Sequence, residues 1–239
     1  MAAKPVDAKA TRTPLSRERV LAAAVALVDA EGVQALTMRR LAAGLGVEAM
    51  SLYHYLPAKQ ALLNGVVEAV VDEIVASVGG LEPAGDDEDW RARLRRQFLA
   101  ARQVMLRHPW VPALLGTSRT VPAAVYAYYD GIVGTLVGAG FSYRLAHRAL
   151  HAFSSLSLGF AQEIFSPDST GAGLDTDAAQ AEFAAMAEAL PHLTAMVTTE
   201  IHEATDPTLG WCDGQVEFEF TLDLLLDGLE RLRRRNPAE

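Results

Sequence analysis

Between residues 39 and 55 the polar and aromatic side chains fall in a pattern suited to nucleic acid. Arg39 carries a planar fork of donors that matches guanine O6 and N7, and Ala49 and Met50 offer apolar contact to thymine methyls. Tyr53, His54 and Tyr55 bring hydroxyl and imidazole groups that hydrogen-bond phosphate oxygens, and Ser51 stands on the same side. For these groups to act together they must leave one short helix in one direction. The plainer alternative is that Tyr53 and Tyr55 pack the junction with the helix that follows.

Other candidate chemistry is thinner. His147 and His151 are four apart, a spacing that lets two imidazoles on one helix share a metal. Arg148 stands where a zinc protease needs its general-base Glu, and no third ligand presents itself, so a polar helix face accounts for the pair. Glu200, His202 and Glu203 read as a solvated cluster. No glycine-rich phosphate loop, nucleophile elbow or Ser/His/Asp set is present, so neither an enzyme nor a bound cofactor is expected.

The chain has 239 residues, half of them hydrophobic, with a net charge of −9. Its only cysteine, Cys212, excludes an internal disulfide scaffold and any cysteine-based metal centre, and fits a reducing cytoplasm. No apolar run is long enough for a membrane span or a signal peptide, so a soluble cytoplasmic protein is expected. Charge is unevenly placed: residues 1–60 hold eight Lys/Arg and five Asp/Glu, a net of +3, against −9 overall, which leaves −12 for residues 61–239. Phosphates meet a local surface rather than a total charge, so the asymmetry permits a basic head on an acidic body. Ordinary solvated helix faces give differences of this size as well.

Periodicity throughout is helical, without alternating strand runs, and an all-α fold is predicted. Residues 1–13 read as a disordered arm. Ser16 caps a first helix whose Val20, Leu21, Ala24, Leu27 and Val28 share a face, and Gly32 stops it. Thr37 caps a second helix ending at Gly46, and a third covers 48–55, closed by Pro57. That is helix-turn-helix spacing, with Leu41, Ala42, Leu45, Val47 and Leu52 as its core. A long helix over 58–78 follows, then a Gly/Pro/acid loop over 79–89. Further helices are expected at 90–107, 110–115, 122–139, 143–165, 177–190, 192–204 and 216–235, with a loop at 166–175. On 90–107, Leu94, Phe98, Ala101 and Met105 should face inward and Arg91, Arg95 and Arg102 outward.

The stretch LSRERVLAAAVALVDAEGVQALTMRRLAAGLGVEAMSLYHYLPAK, residues 15–59, resembles the DNA-binding domain of the tetracycline-repressor (TetR) family of transcriptional regulators. LHAFSSLSLGFAQE (150–163) and FEFTLDLLLDGLERL (218–232) are similar to the ligand domain of its tetracycline-repressor branch. The resemblance implies that Thr37, Arg39, Met50, Ser51, Tyr53, His54, Tyr55 and Lys59 touch DNA, with Arg39 on a base edge and Tyr53, Tyr55 and Lys59 on phosphates. Ala49 and Met50 replace the polar or Pro readers of that branch, so a different operator is implied.

It further implies a homodimer with a helix-turn-helix head (1–57) and a helical ligand-binding and dimerisation body (58–239). A palindromic DNA operator would be released by a small-molecule inducer, without any membrane role. Candidate ligand contacts are Phe98, Met105, Trp110, Leu114, Tyr126, Tyr129, His151, Ser154, Ser157 and Glu163, with Phe153, Phe160, His147 and Gln162 nearby; ordinary core packing is the alternative for each aromatic. Thr117 and Glu163 match the tetracycline branch. Val75 and Leu114 stand where that branch has histidines, so magnesium-linked tetracycline does not fit. The rival reading is a helical ligand-binding or enzymatic bundle without DNA binding.

Overall fold

The computed structural model describes residues 14–79, 89–117, 120–160, 189–199 and 214–235. Among them the regular elements are helical. In chain order they are α1 Arg17–Glu31, α2 Met38–Leu45, α3 Ala49–Tyr53, α4 Lys59–Gly79, α5 Trp90–Arg107, α6 Val111–Thr117, α7 Ala123–Gly138, α8 Tyr143–Gly159, α9 Pro191–Thr199 and α10 Gly214–Arg235. A single 3-10 turn, Val33–Ala35, lies between α1 and α2, where no helix was expected from the sequence.

Local chemistry sets the first boundaries. Ser16 Oγ accepts from Arg19 N at 3.2 Å and Thr37 Oγ1 from Arg40 N at 3.2 Å, so each cap satisfies an otherwise unpaired helical N–H. Gly46 ends α2 in the left-handed region (φ 65°), with Gly46 N on Ala43 O at 3.2 Å and Val47 N on Ala42 O at 3.0 Å. That reversal suits a residue without Cβ, and it turns the chain straight into α3. The expected arm at 1–13, most of the loop at 79–89, the loop at 166–175, all but the last two residues of the helix expected at 177–190, and the ends of the helices expected at 143–165 and 192–204 lie outside the described residues.

The chain divides into two compact units, residues 1–83 with 100–131, and 84–99 with 132–239. In the first, Val20, Leu21, Ala24 and Val28 of α1 pack with Leu36, Leu41, Ala42, Leu52, Leu56, Leu62 and Val66. A Cβ at Gly65 would stand 2.6 Å from Leu21 Cδ2, so the missing side chain is what lets α1 and α4 approach this closely. Each fully buried Leu or Val contributes about 1.5–3 kcal/mol relative to exposure. Further along α4, Val70 and Ile74 meet Ala101, Val104 and Val111, while Val67 and Val71 meet Val125.

In the second unit α8 packs against α10. Phe98 stacks on Phe153 with centroids 4.5 Å apart, and Trp90 meets Phe141 edge-on at 4.8 Å. Arg95 is ion-paired with Glu219 and Asp223, and Arg91 with Asp227. Arg233 donates to Ala139 O at 2.9 Å and joins Arg234 on the buried Glu230. Those two guanidiniums, Arg233 first, pull the Glu230 carboxyl down to about 2.

One side chain departs from expectation. Arg102, predicted to face outward, is buried. It stands one turn beyond Phe98 and beside Ala101, so it falls on the inward stripe of α5, and its long apolar stem lets an Arg occupy such a position.

Candidate nucleic-acid interface

The two short helices α2 and α3 owe their mutual placement to the core behind them. Leu52 and Leu56 are fully or nearly fully buried, and Leu45, Val47 and Ala49 lie half-buried against the same cluster. With Leu52 inward, the 3.6-residue period turns its neighbours outward. Met50 is 73 % exposed, Tyr53, His54 and Tyr55 are exposed, and Ser51 is half-buried. The thioether and phenol of Met50 and Tyr53 on this five-residue helix, and the imidazole and phenol of His54 and Tyr55 just beyond it, are thus open to solvent.

Charge on the surrounding surface is selective. Arg17 is held by Glu68 at 2.6 Å and Arg40 by Glu31. Arg39 and Lys59 are exposed and make no ion pair among the described residues. Thr37 is exposed, its oxygen accepting from Arg40 N while its O–H remains a donor. Tyr55 OH donates to Leu15 O at 2.8 Å, fixing the start of α1 against the end of α3. A phosphate only accepts, so Tyr55 can bond one through its hydroxyl only by giving up that internal bond.

The residues expected at a ligand site are spread over both units. In the first, Trp110 and Leu114 pack against the α1–α4 core, Met105 against the Val70 and Ile74 cluster, and Tyr129 beside Val125. Trp110 Nε1 is committed to Asp29 Oδ1 at 2.7 Å, and Tyr126 is 61 % exposed. In the second, Phe98 lies in its stack with Phe153, Ser154 is half-buried, and the Ser157 Oγ is buried without a hydrogen-bond partner among the described residues. His151 is exposed with His147 beside it, ring centroids 4.6 Å apart. Glu163 lies outside the described residues, and no group of three or more metal-binding side chains comes together among those described.

One polar cluster was not found from sequence. Asp29, Glu73, Arg107, His108 and Trp110 meet in the first unit, although they are as much as 81 residues apart in the chain. His108-Pro109 marked only the end of a helix. The signal that points further is a His and a Trp flanking a helix-stopping Pro, both able to donate inward.

A helix-turn-helix head with an outward aromatic face defines a class of DNA-binding proteins, and comparison with known proteins makes the assignment narrower. Residues 20–66 match the model of bacterial regulatory proteins of the TetR family, and residues 82–233 match the tetracyclin repressor-like C-terminal domain. The chain therefore belongs to the TetR family of transcriptional regulators, with a DNA-binding helix-turn-helix domain and a ligand-binding domain. It is 30 % identical over 138 residues to an HTH-type transcriptional regulator of Saccharopolyspora erythraea, covering 58 % of this chain and 56 % of that one. With the HTH-type transcriptional repressor DrrR1 of Streptomyces coeruleorubidus it shares 38 % identity over 120 residues, 49 % of this chain and 41 % of that one. The chain thus spans about half the length of these relatives. A solved structure of a possible TetR family regulator from Streptomyces coelicolor A3(2) is 33 % identical, with a TM-score of 0.69 over 91 % of this chain and all of that one. Among the described residues no helix is long and apolar enough to cross a membrane.

Proposed function

We propose that this chain is a cytoplasmic repressor that binds a palindromic DNA operator as a homodimer and releases it when a small, largely apolar molecule binds. The head is residues 1–57 and the body runs from residue 58. The observation that carries the reading is the outward face of α3, flanked by Arg39 and Lys59, which have no ion-pair partner among the described residues. Arg39, Met50 and Ser51 address base edges, while Thr37, Tyr53, His54, Tyr55 and Lys59 hold backbone.

Support for the dimer comes from α10, where Val216, Phe220 and Leu224 form an exposed apolar stripe four residues apart. For the ligand, the second unit offers the stacked Phe98 and Phe153 with the Ser157 hydroxyl, which has no partner among the described residues, apolar surface with a polar point. Ser157→Trp then blunts induction and leaves operator binding intact.

Gel retardation with the DNA upstream of the protein's own coding region tests the operator reading. Expected is a site-specific complex whose affinity falls steeply with salt, since several phosphate contacts release counterions. Retardation that ignores sequence, or none, favours a helical ligand-binding bundle without DNA binding.

A further inference from the structure

In the first unit the turn after α5 grips two helices by charge. His108 is 6 % exposed, with Nδ1 2.8 Å from Asp29 Oδ1 on α1 and Nε2 3.1 Å from Glu73 Oε2 on α4. Trp110 Nε1 donates to the same Asp29 oxygen at 2.7 Å. Arg107 donates through Nε to Glu73 Oε1 at 3.2 Å and through Nη2 to that same oxygen, and through Nη1 to Gln103 O at 3.2 Å.

A carboxylate only accepts, so both ring nitrogens must donate for both contacts to be hydrogen bonds. Only the imidazolium does that. Glu73 is held below the usual carboxylate range by Arg107 first, with His108 adding to the effect and partial burial opposing it, so it stands as an anion at neutral pH. With His108 protonated, two positive and two negative groups balance. Once the proton leaves, one carboxylate oxygen faces the lone pair of a buried ring and the cluster holds an uncompensated negative charge, an unfavourable contact even though Asp29 and Glu73 are themselves partly open to water.

We propose that His108 is a positioning residue of the DNA-binding form: its imidazolium clasps α1 to α4, fixes the bed on which α2 and α3 lie, and makes operator affinity fall as the proton is lost. The inference rests on the operator reading above. α4 opens with Lys59 and α1 carries much of the core beneath Leu52, so loosening their spacing moves phosphate and base contacts out of register with each other.

The test is operator affinity from pH 6 to pH 9 at constant ionic strength. His54 lies on the DNA-facing side with an imidazole of its own, so wild type, His54→Gln and His108→Gln are compared. His54→Gln, which removes the other imidazole from the DNA face, should still lose affinity by about tenfold over this range, the scale of one charge-assisted hydrogen bond, and wild type by at least as much. His108→Gln should bind weakly and lose that tenfold fall, and the double variant His54→Gln/His108→Gln should be flat, because an amide cannot change its charge. Asp29→Asn, which keeps an acceptor for Trp110 and removes one anion, should move the fall to lower pH. Ring 15N shifts of the labelled full chain give a readout independent of DNA. A His108→Gln pH profile that parallels wild type, or a ring with one bare nitrogen at pH 6, overturns the proposal. If no DNA is retarded at any pH the operator reading fails, and the ring shifts still decide the clasp.

Discussion

Arg39 and Lys59 look alike as exposed cations, yet their backbones place them differently. Arg39 projects from the first turn of α2, where a guanidinium has the reach and the paired donors for a base edge, and Lys59 opens α4 as a flexible point charge. Arg39→Ala should cost about 1–3 kcal/mol of operator binding and relax preference at one base pair, as loss of a bidentate guanine contact does. Lys59→Ala should weaken every sequence alike and reduce the salt slope by roughly one unit. Competition assays with single-base operator variants at several salt concentrations separate the two. Equal loss on all sequences for both mutants would show that neither reads a base. At this scale sequence was a partial guide. The outward Met50, Tyr53 and His54 could be read from the inward Leu52, whereas the Tyr55 bond to Leu15 and the Trp110 bond to Asp29 join residues 40 and 81 positions apart. Local periodicity holds no information about such pairs.

Among the elements, those that end in local chemistry were the ones legible beforehand. Ser16, Gly32, Thr37 and Gly46 bound α1 and α2 because a cap is made by residues within a turn of the helix end. Arg102 was misread for the opposite reason: a charged residue beside an apolar stripe goes in or out according to what the neighbouring helices offer. The end of α10 shows such a decision made by charge. Glu230 is buried with Arg233 and Arg234 on it, and Arg233 also donates to Ala139 O just past the end of α7. Since the folded-state value is depressed to about 2 from an ordinary 4.5, the unfolded chain binds the proton more readily. The stabilisation is therefore complete above about pH 4.5 and is lost as pH falls toward 2. Glu230→Gln should lower the melting temperature near neutrality, and its difference from wild type should shrink as the pH is taken from 5 to 3. A difference that stays constant over that range would mean that the carboxylate charge is not what holds this helix end.

For the molecule as a whole, the open question is what covers α10. Of its apolar residues, Phe218, Leu222, Leu226 and Leu229 are buried within the protomer and Leu225 is half-buried. A helix presenting apolar residues on more than one side cannot say from its own sequence which side its own chain will take. The side left over is the one that counts. Val216, Phe220 and Leu224 are 58 %, 60 % and 53 % exposed, and their i, i+4, i+8 spacing aligns them along one stripe. In the homodimer proposed above, a two-fold axis beside that stripe would lay it against its own copy, the self-complementary arrangement such an assembly requires. The proposed palindromic operator would then meet two heads, one for each half-site, and a single head would hold it less tightly. Phe220→Asp combined with Leu224→Asp places four like charges in the seam and removes little from the protomer's own core. Light scattering should then report a monomer at micromolar concentration with helical circular dichroism retained, and operator retardation should disappear. A wild type that is already monomeric at that concentration, or a double variant that still dimerises and binds, would place the interface elsewhere.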